Sequence, residues 1–334
     1  MDFFMQVISD RVEADNVLRK VSSLIDWKRV GWKVGRVRSK LGRAGYDVDL
    51  MVRVMLLGQW HSLSDRELEH ALRVRLDFML FCGAAIIDDS PDHTTICRFR
   101  GALVRLGLHE ELLAEVNRQI KGHGLMMEAA PVAVVDATIV ESAARPRRQI
   151  EAMPEDRRED QAQEAPDHPV TERLSADPDA AWLKKGRKSF FGYKVFARSD
   201  GEGFVDKLLA RPANEGEAPH LAAMAAGCEA ARLLTDKGFA SRSNREMLAG
   251  LGLKSGIMFR AARGHPLSHW QKQFNRLVSK ARWIIEQAFG TLKRKFHAAR
   301  ARYLTREKVG AQMTFKATAM NLLKAANKIE LVVA

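Results

Sequence analysis

The apolar residues of this chain change period near Met126, and that change restricts the fold more than any other feature. Before it, Leu50, Met51, Val54 and Met55 recur at the spacing of one helical face. Ser64-Asp-Arg-Glu67 has the capping-box pattern, so a helix is predicted to start there with Leu68, Ala71 and Leu72 inward. Further helices are predicted from near Ser90-Pro91-Asp92 to Gly107 and from His109 toward Gly122. Several short helices in a basic chain permit a helix-turn-helix-like arrangement.

After Met126, short apolar runs replace the helical period. Val132 to Val135 is a β-branched run of the kind found in buried strands. Strand patterns return at Phe190 to Ala197 and at Gly203 to Ala210, joined by Gly201-Glu-Gly203, a link short enough for a hairpin. Glu217 to Cys228 reads as an alanine-rich helix, Arg232 to Thr235 as a strand, Ser241 to Leu251 as a helix and Lys254 to Phe259 as a last strand. Two long helices follow, the second with Val309, Met313, Ala317 and Met320 on one face. Between Arg145 and Lys188 the order breaks down. Five of the ten prolines fall there amid dense charge of both signs, which predicts a long loop or a partly disordered insertion. The expected fold is α/β: a mixed sheet flanked by helices over 126–334, with the insertion at 145–188, preceded by an all-helical domain over 1–125.

The net charge of +13 and a pI near 9.8 point to a polyanionic partner. No unbroken apolar stretch approaches the roughly 20 residues that a membrane span needs. The start, Met1-Asp-Phe-Phe-Met-Gln, lacks the pattern of a secretory signal. Nucleic acid is therefore favoured over a membrane. Cys82, Cys97 and Cys228 are far apart and form neither a zinc knuckle nor a disulfide framework, which suits a reducing cytoplasm. No Gly-Lys-Ser/Thr phosphate loop is present, nor the second Asp of a haloacid-dehalogenase-like site.

Against this basic background three carboxylates stand out. Asp136 ends the run Pro131-Val-Ala-Val-Val, and Asp236 ends Ala231-Arg-Leu-Leu-Thr. Glu286 lies in the predicted helix Arg282-Trp-Ile-Ile-Glu286. Acids at two strand ends and one on a late helix can converge on a pair of divalent ions. Phosphodiester cleavage needs an activated oxygen nucleophile and charge neutralisation at the leaving oxygen, and carboxylate-held magnesium supplies both. Arg282, Glu286 and Lys293 are four and seven residues apart and so share a helix face, placing two cations to grip phosphate beside the acid. Taken singly, each acid has an ordinary account: a strand-end or turn Asp, or a Glu in a solvated ion-pair face. Their joint occurrence carries the reading.

These segments together resemble the DDE-type transposases of bacterial insertion sequences, close to the insertion sequence five group. In the wider class the helix bearing the Glu often carries Tyr, Arg, Glu and Lys separated by two, three and six residues. Arg282, Glu286 and Lys293 match, while Ser279 stands at the tyrosine position. Val135-Asp136-Ala-Thr138 and Leu234-Thr-Asp236-Lys-Gly238 resemble the segments with the two aspartates. Leu63-Ser-Asp-Arg-Glu67, Asp92-His-Thr-Thr95 and Arg98-Phe-Arg100 resemble the helical leader, and Gly192-Tyr-Lys194 the strand after the first aspartate. The resemblance implies an RNase H-like core. It also implies dependence on Mg²⁺ (with Mn²⁺ able to substitute), cutting and joining of DNA at terminal inverted repeats, and a homodimer in the synaptic complex.

Two stretches are suited to DNA backbone contact. Lys280 to Lys308 holds nine Lys/Arg against two Glu, and Trp27 to Arg43 holds seven Lys/Arg and no acid. Arg98, Arg100, Thr94 and Thr95 are placed to read DNA from a helix near its N-terminus. Lys237, Lys194 and the Lys184-Lys185, Arg187-Lys188 cluster are expected beside the active site. A non-catalytic DNA-binding descendant and a nuclease without strand transfer are the alternatives. The Asp177-Pro-Asp179 pair reads as a turn, and His220 as a helix-cap or surface residue.

Overall fold

The computed structural model describes residues 3–38, 45–83, 86, 89–127, 130–144 and 176–329. Its first part is helical: α1 (Phe3–Arg11), α2 (Val17–Leu24), α3 (Trp27–Lys33), α4 (Val48–Trp60), α5 (Asp65–Val74), α6 (Leu76–Cys82), α7 (His93–Arg105) and α8 (Leu108–Gly122). Side-chain caps start several of them. The Ser64 hydroxyl accepts from Glu67 N at 3.2 Å while the Glu67 carboxylate accepts from Ser64 N at 2.7 Å, the reciprocal box expected from the sequence. Asp92 accepts from Thr95 N at 2.7 Å and opens α7. Thr94 also donates to Asp92, so both threonines at this helix start take part in capping.

The second part is a six-stranded mixed sheet: β1 (Val132–Glu141), β2 (Ala181–Lys185), β3 (Lys188–Asp200), β4 (Val205–Pro212), β5 (Arg232–Thr235) and β6 (Lys254–Ile257). β3 pairs antiparallel with β1, β2 and β4, whereas β5 and β6 continue from β1 in parallel. The 201–203 link does join two paired strands, with Gly203 at φ +83° where an L side chain is strained. The expected helix over Glu217 to Cys228 is interrupted. Pro219 sits in a 3₁₀ turn, Ala218–His220, and only α9 (Leu221–Ala225) is α-helical. α10 (Arg242–Gly250) and the long α11 (His269–Arg294) and α12 (Arg306–Ala326) complete the order.

Most of the expected insertion, 145–175, lies outside the described residues. Its end departs from the loop expectation. Ala181–Lys185 pairs with β3 through a tight turn at Gly186, φ +63°, so Lys184, Lys185 and Lys188 stand on a hairpin. The Asp177-Pro-Asp179 segment is also more than a turn. Asp177 is fully buried and accepts from the Ser142 and Tyr193 hydroxyls and from Thr305 N, and Asp179 accepts from Arg306 N at 2.8 Å. Both acids cap the start of α12, where Thr305 holds a left-handed φ of +75°.

α12 is buried around nearly its whole circumference rather than on one face, because α4, α8 and β4 enclose it. At its centre the Asn321 amide donates to Asn117 Oδ1 at 2.8 Å and to Val205 O at 2.6 Å, and accepts from Val205 N at 3.1 Å. These bonds tie α8, α12 and β4 together, so one apolar core runs from the helical part into the sheet. A smaller cluster, including Val135, Leu233, Phe196 and Phe239, fills the other face of the sheet under α9 and α10.

Candidate active site

β1 and β5 are parallel neighbours, in register through Val135 opposite Thr235. The next residue on each strand is an acid, and adjacent strands lie about 4.8 Å apart, so Asp136 and Asp236 start side by side. β5 ends just before Asp236, as expected, but β1 runs on to Glu141 because its second half pairs with β3, so Asp136 stands in mid-strand rather than at a strand end. Asp236 also caps the 3₁₀ turn Lys237–Phe239, its carboxylate accepting from Gly238 N at 2.7 Å.

α11 packs across β1 and β5. From it, Arg282 donates to Asp136 Oδ2 at 2.7 Å, while Asp136 Oδ1 accepts from Ala137 N at 2.8 Å. Both side chains of the ion pair are only 14% exposed. Burial pushes the Asp136 pKa up; Arg282 opposes this, and the charge of Asp236 adds to it. Arg282 therefore serves as the counter-charge of Asp136.

A fourth carboxylate joins them. Glu217, half-buried in the loop after β4, lies over Gly238, so that a Cβ added there would land on Glu217 Oε2 and 3.0 Å from Asp236 Oδ1. Burial raises the Glu217 pKa, followed by the repulsion of Asp236; Lys194 works against both. Lys194, on β3, stands 3.8 Å from Glu217 Oε1 and donates to Glu215 O at 2.6 Å. No local pattern singled out Glu217. The acid-rich Asn214-Glu-Gly-Glu217 segment before Pro219 was the sole signal, and His220, the residue noticed there, pairs instead with Glu215 at 2.7 Å.

Glu286 is exposed on α11, one turn beyond Arg282 and hence about 6 Å further along the axis. Lys293 lies further along the same face. It lines a cleft of about 560 Å³ together with Glu141, Lys184, Lys185, Lys194 and Glu217. Burial lowers the Lys293 pKa, and the neighbouring Lys185 lowers it further. Thus Asp136, Asp236 and Glu217 are brought together, and Glu286 stands on the helix that borders them. Among the described residues no three His, Cys, Asp or Glu side chains are already gathered closely enough to hold a metal ion. The donor chemistry nevertheless fits one. Carboxylate oxygens are what a hard divalent cation takes, and a cation would offset both the burial and the mutual repulsion that raise Asp136 and Glu217.

The remaining expected DNA contacts are scattered. Lys237 is exposed beside Asp236, and Arg98 is exposed on α7. Arg100 is engaged inside the protein: it forms a two-pronged ion pair with Asp65, lies 4.7 Å from the Tyr303 ring and is 11% exposed. That clamp holds α7 to α5 and to the segment before α12. In the basic stretch that starts at Trp27, Arg29, Arg36 and Arg38 pair with Glu115, Glu111 and Asp47, and Trp32 is exposed; residues 39–44 lie outside the described residues. No described helix is long and apolar enough to cross a membrane.

A family model described as a transposase domain matches residues 6–102, and one described as a transposase DDE domain matches residues 128–322. The transposase for insertion sequence element IS1106 of Neisseria meningitidis serogroup B is 41% identical over 233 residues, 70% of this chain and 78% of that protein. No solved structure matches. With acids on adjacent strands, an arginine laid across one of them and a DDE domain match over most of its sheet and late helices, the chain belongs to the DDE transposase family.

Proposed function

We propose that this transposase cuts DNA at the ends of its own insertion element and joins the freed 3′-hydroxyl to target DNA, using Asp136, Asp236 and Glu286 as metal-holding acids. The carrying observation is the pairing of β1 with β5, which sets Asp136 beside Asp236 under α11. The sheet, with an antiparallel set on one side of β1 and parallel β5 and β6 on the other, supports an RNase H-like core. Two Mg²⁺ bound there supply Lewis acidity at the scissile phosphate and at the leaving oxygen.

The chain's own residues do the rest. Arg282 balances the charge of Asp136, and with Asp136 holding a cation its guanidinium would be available to a phosphate oxygen. Lys293 and Lys194, in the cleft beside the acids, hold the backbone on either side of the cut, with Lys237 at the rim. The helices over 1–125, with Arg98 exposed, contact the inverted repeats. Arg100 supports that surface from inside through Asp65. Two element ends are brought together by a homodimer acting in the cytoplasm, associated with the nucleoid while bound to DNA. Asp136→Ala tests the reading: end binding persists in a gel-shift assay while Mg²⁺-dependent cleavage disappears. Residual nicking at the wild-type rate would remove Asp136 from the site.

A further inference from the structure

The first half of α11 carries an apolar surface that joins the core only through Phe274 and that the proposed acids do not use. Trp270 is 62% exposed and Leu277 66%; with Phe274 they occupy positions i, i+7 and i+4 on one helical face. Trp270 stacks on Phe274 with ring centres 5.5 Å apart and planes 22° apart, and Phe259 meets both rings edge-on at 5.4–5.5 Å. The platform is built to hold its shape. Asn275 on α11 accepts from Phe259 N at 2.8 Å and donates to Phe259 O at 2.9 Å, and the Arg245 guanidinium lies 4.6 Å from the Phe259 ring centre. A fastened aromatic stack left open to solvent marks a binding surface.

Its surroundings choose the partner. No acid occurs between Glu246 and Glu286, while Arg260, Arg263, Lys272, Arg276 and Lys280 are all exposed there. A second copy of the chain docked here about a two-fold axis would bring these cations against their own kind. Nucleic acid instead neutralises them, and aromatic rings stack with any unpaired base. Trp270 lies twelve residues before Arg282, about 18 Å along the helix axis, a span of a few nucleotides of unpaired strand.

We propose that the Trp270–Phe274–Phe259 ridge binds unpaired DNA strand, one base stacking on Trp270 a few nucleotides from the phosphate held near Asp136. This inference rests on the DNA-cutting function proposed above and adds the contact with the strand beside the cut. The test is fluorescence anisotropy with a labelled duplex ending in a single-stranded tract of roughly eight thymidines, and with the same duplex blunt, on wild type, Trp270→Ala and Trp270→Phe. Wild type is expected to prefer the tailed duplex. Trp270→Ala is expected to lose that preference, its Kd for the tailed duplex rising at least about fivefold with the blunt value unchanged, and Trp270→Phe to keep most of it. A Trp270→Ala protein that binds the tailed duplex as wild type does overturns the inference. So does a wild-type dimer that Trp270→Ala converts to monomer in DNA-free sedimentation, since the ridge is then a subunit interface. Failure of wild type to bind either duplex overturns the DNA reading itself, whereas binding without preference for the tail overturns the ridge alone.

Discussion

Replacing Arg282 by methionine separates the charge balance of the site from its shape. Methionine keeps an unbranched apolar stem and removes the guanidinium that lies 2.7 Å from Asp136 Oδ2. Removing one partner of a buried pair costs about 3–5 kcal/mol. Both side chains retain 14% exposure, which lets water answer part of the charge and brings the expected loss in metal-free buffer to about 2–3 kcal/mol. Magnesium then acts differently on the two proteins. In wild type it competes with the guanidinium for Asp136; in Arg282→Met it does not. Each tenfold gain in Mg²⁺ affinity recovers about 1.4 kcal/mol, so the deficit shrinks as Mg²⁺ is added. pH acts in the same sense. A buried carboxyl with a raised pKa carries a charging penalty that is absent below the ordinary value of 3.8 and fully present above its folded pKa. Loss of Arg282 enlarges that penalty, so the deficit also narrows as pH falls toward 3.8. Urea unfolding followed by tryptophan fluorescence, with and without Mg²⁺ and at several pH values, measures all three effects. A deficit below about 0.5 kcal/mol without metal, or one that Mg²⁺ leaves unchanged, refutes the reasoning.

Two further perturbations probe how the site is supported. Gly238→Ala places a Cβ on Glu217 Oε2 and displaces that carboxylate from beside Asp236; end cleavage is expected to fall by about a hundredfold with DNA binding retained, read from single-turnover cleavage against Kd. Asn321→Leu removes the amide that joins Asn117 and Val205, leaving Asn117 Oδ1 and Val205 N without partners. At about 1–3 kcal/mol for each of the two orphaned groups, less about 2 kcal/mol for the added apolar burial, the net loss in urea unfolding is about 0–4 kcal/mol, in a single transition.

The parts of this architecture that were legible in the sequence are the ones that local physics dictates. Apolar runs such as Val132 to Val135 and Leu233-Leu234 read as strands because a buried strand has little choice of residue. Asp236 does follow the end of its strand, whereas Asp136 stands in mid-strand, because the polar second half of β1 is held by pairing with β3. The helical period of α11 groups Arg282 with Glu286 and Lys293 as a phosphate grip, and it does not reveal that the Arg282 guanidinium pairs with Asp136. What stayed hidden depends on contacts distant in the chain. Asp177 reads locally as a turn residue, yet it caps a helix start 128 residues later. Arg100 looks like a free cation until Asp65, 35 residues before it, takes both of its prongs. The β2 hairpin is polar and charged, because much of it faces solvent, so no apolar alternation announced it. Glu217 lies in a loop, where neither period nor cap rules apply, and only the fold brings it over Gly238.

The proposed site requires Glu286, exposed on α11, to join Asp136 and Asp236 around bound cations. Iron(II) used in place of Mg²⁺, with ascorbate and peroxide, generates radicals that cut the polypeptide backbone next to the ion. On the DNA-bound protein the predicted result is scission at three separate places, near Asp136, near Asp236 and near Glu286. Cuts at the two aspartates with the chain intact around Glu286 would contradict it.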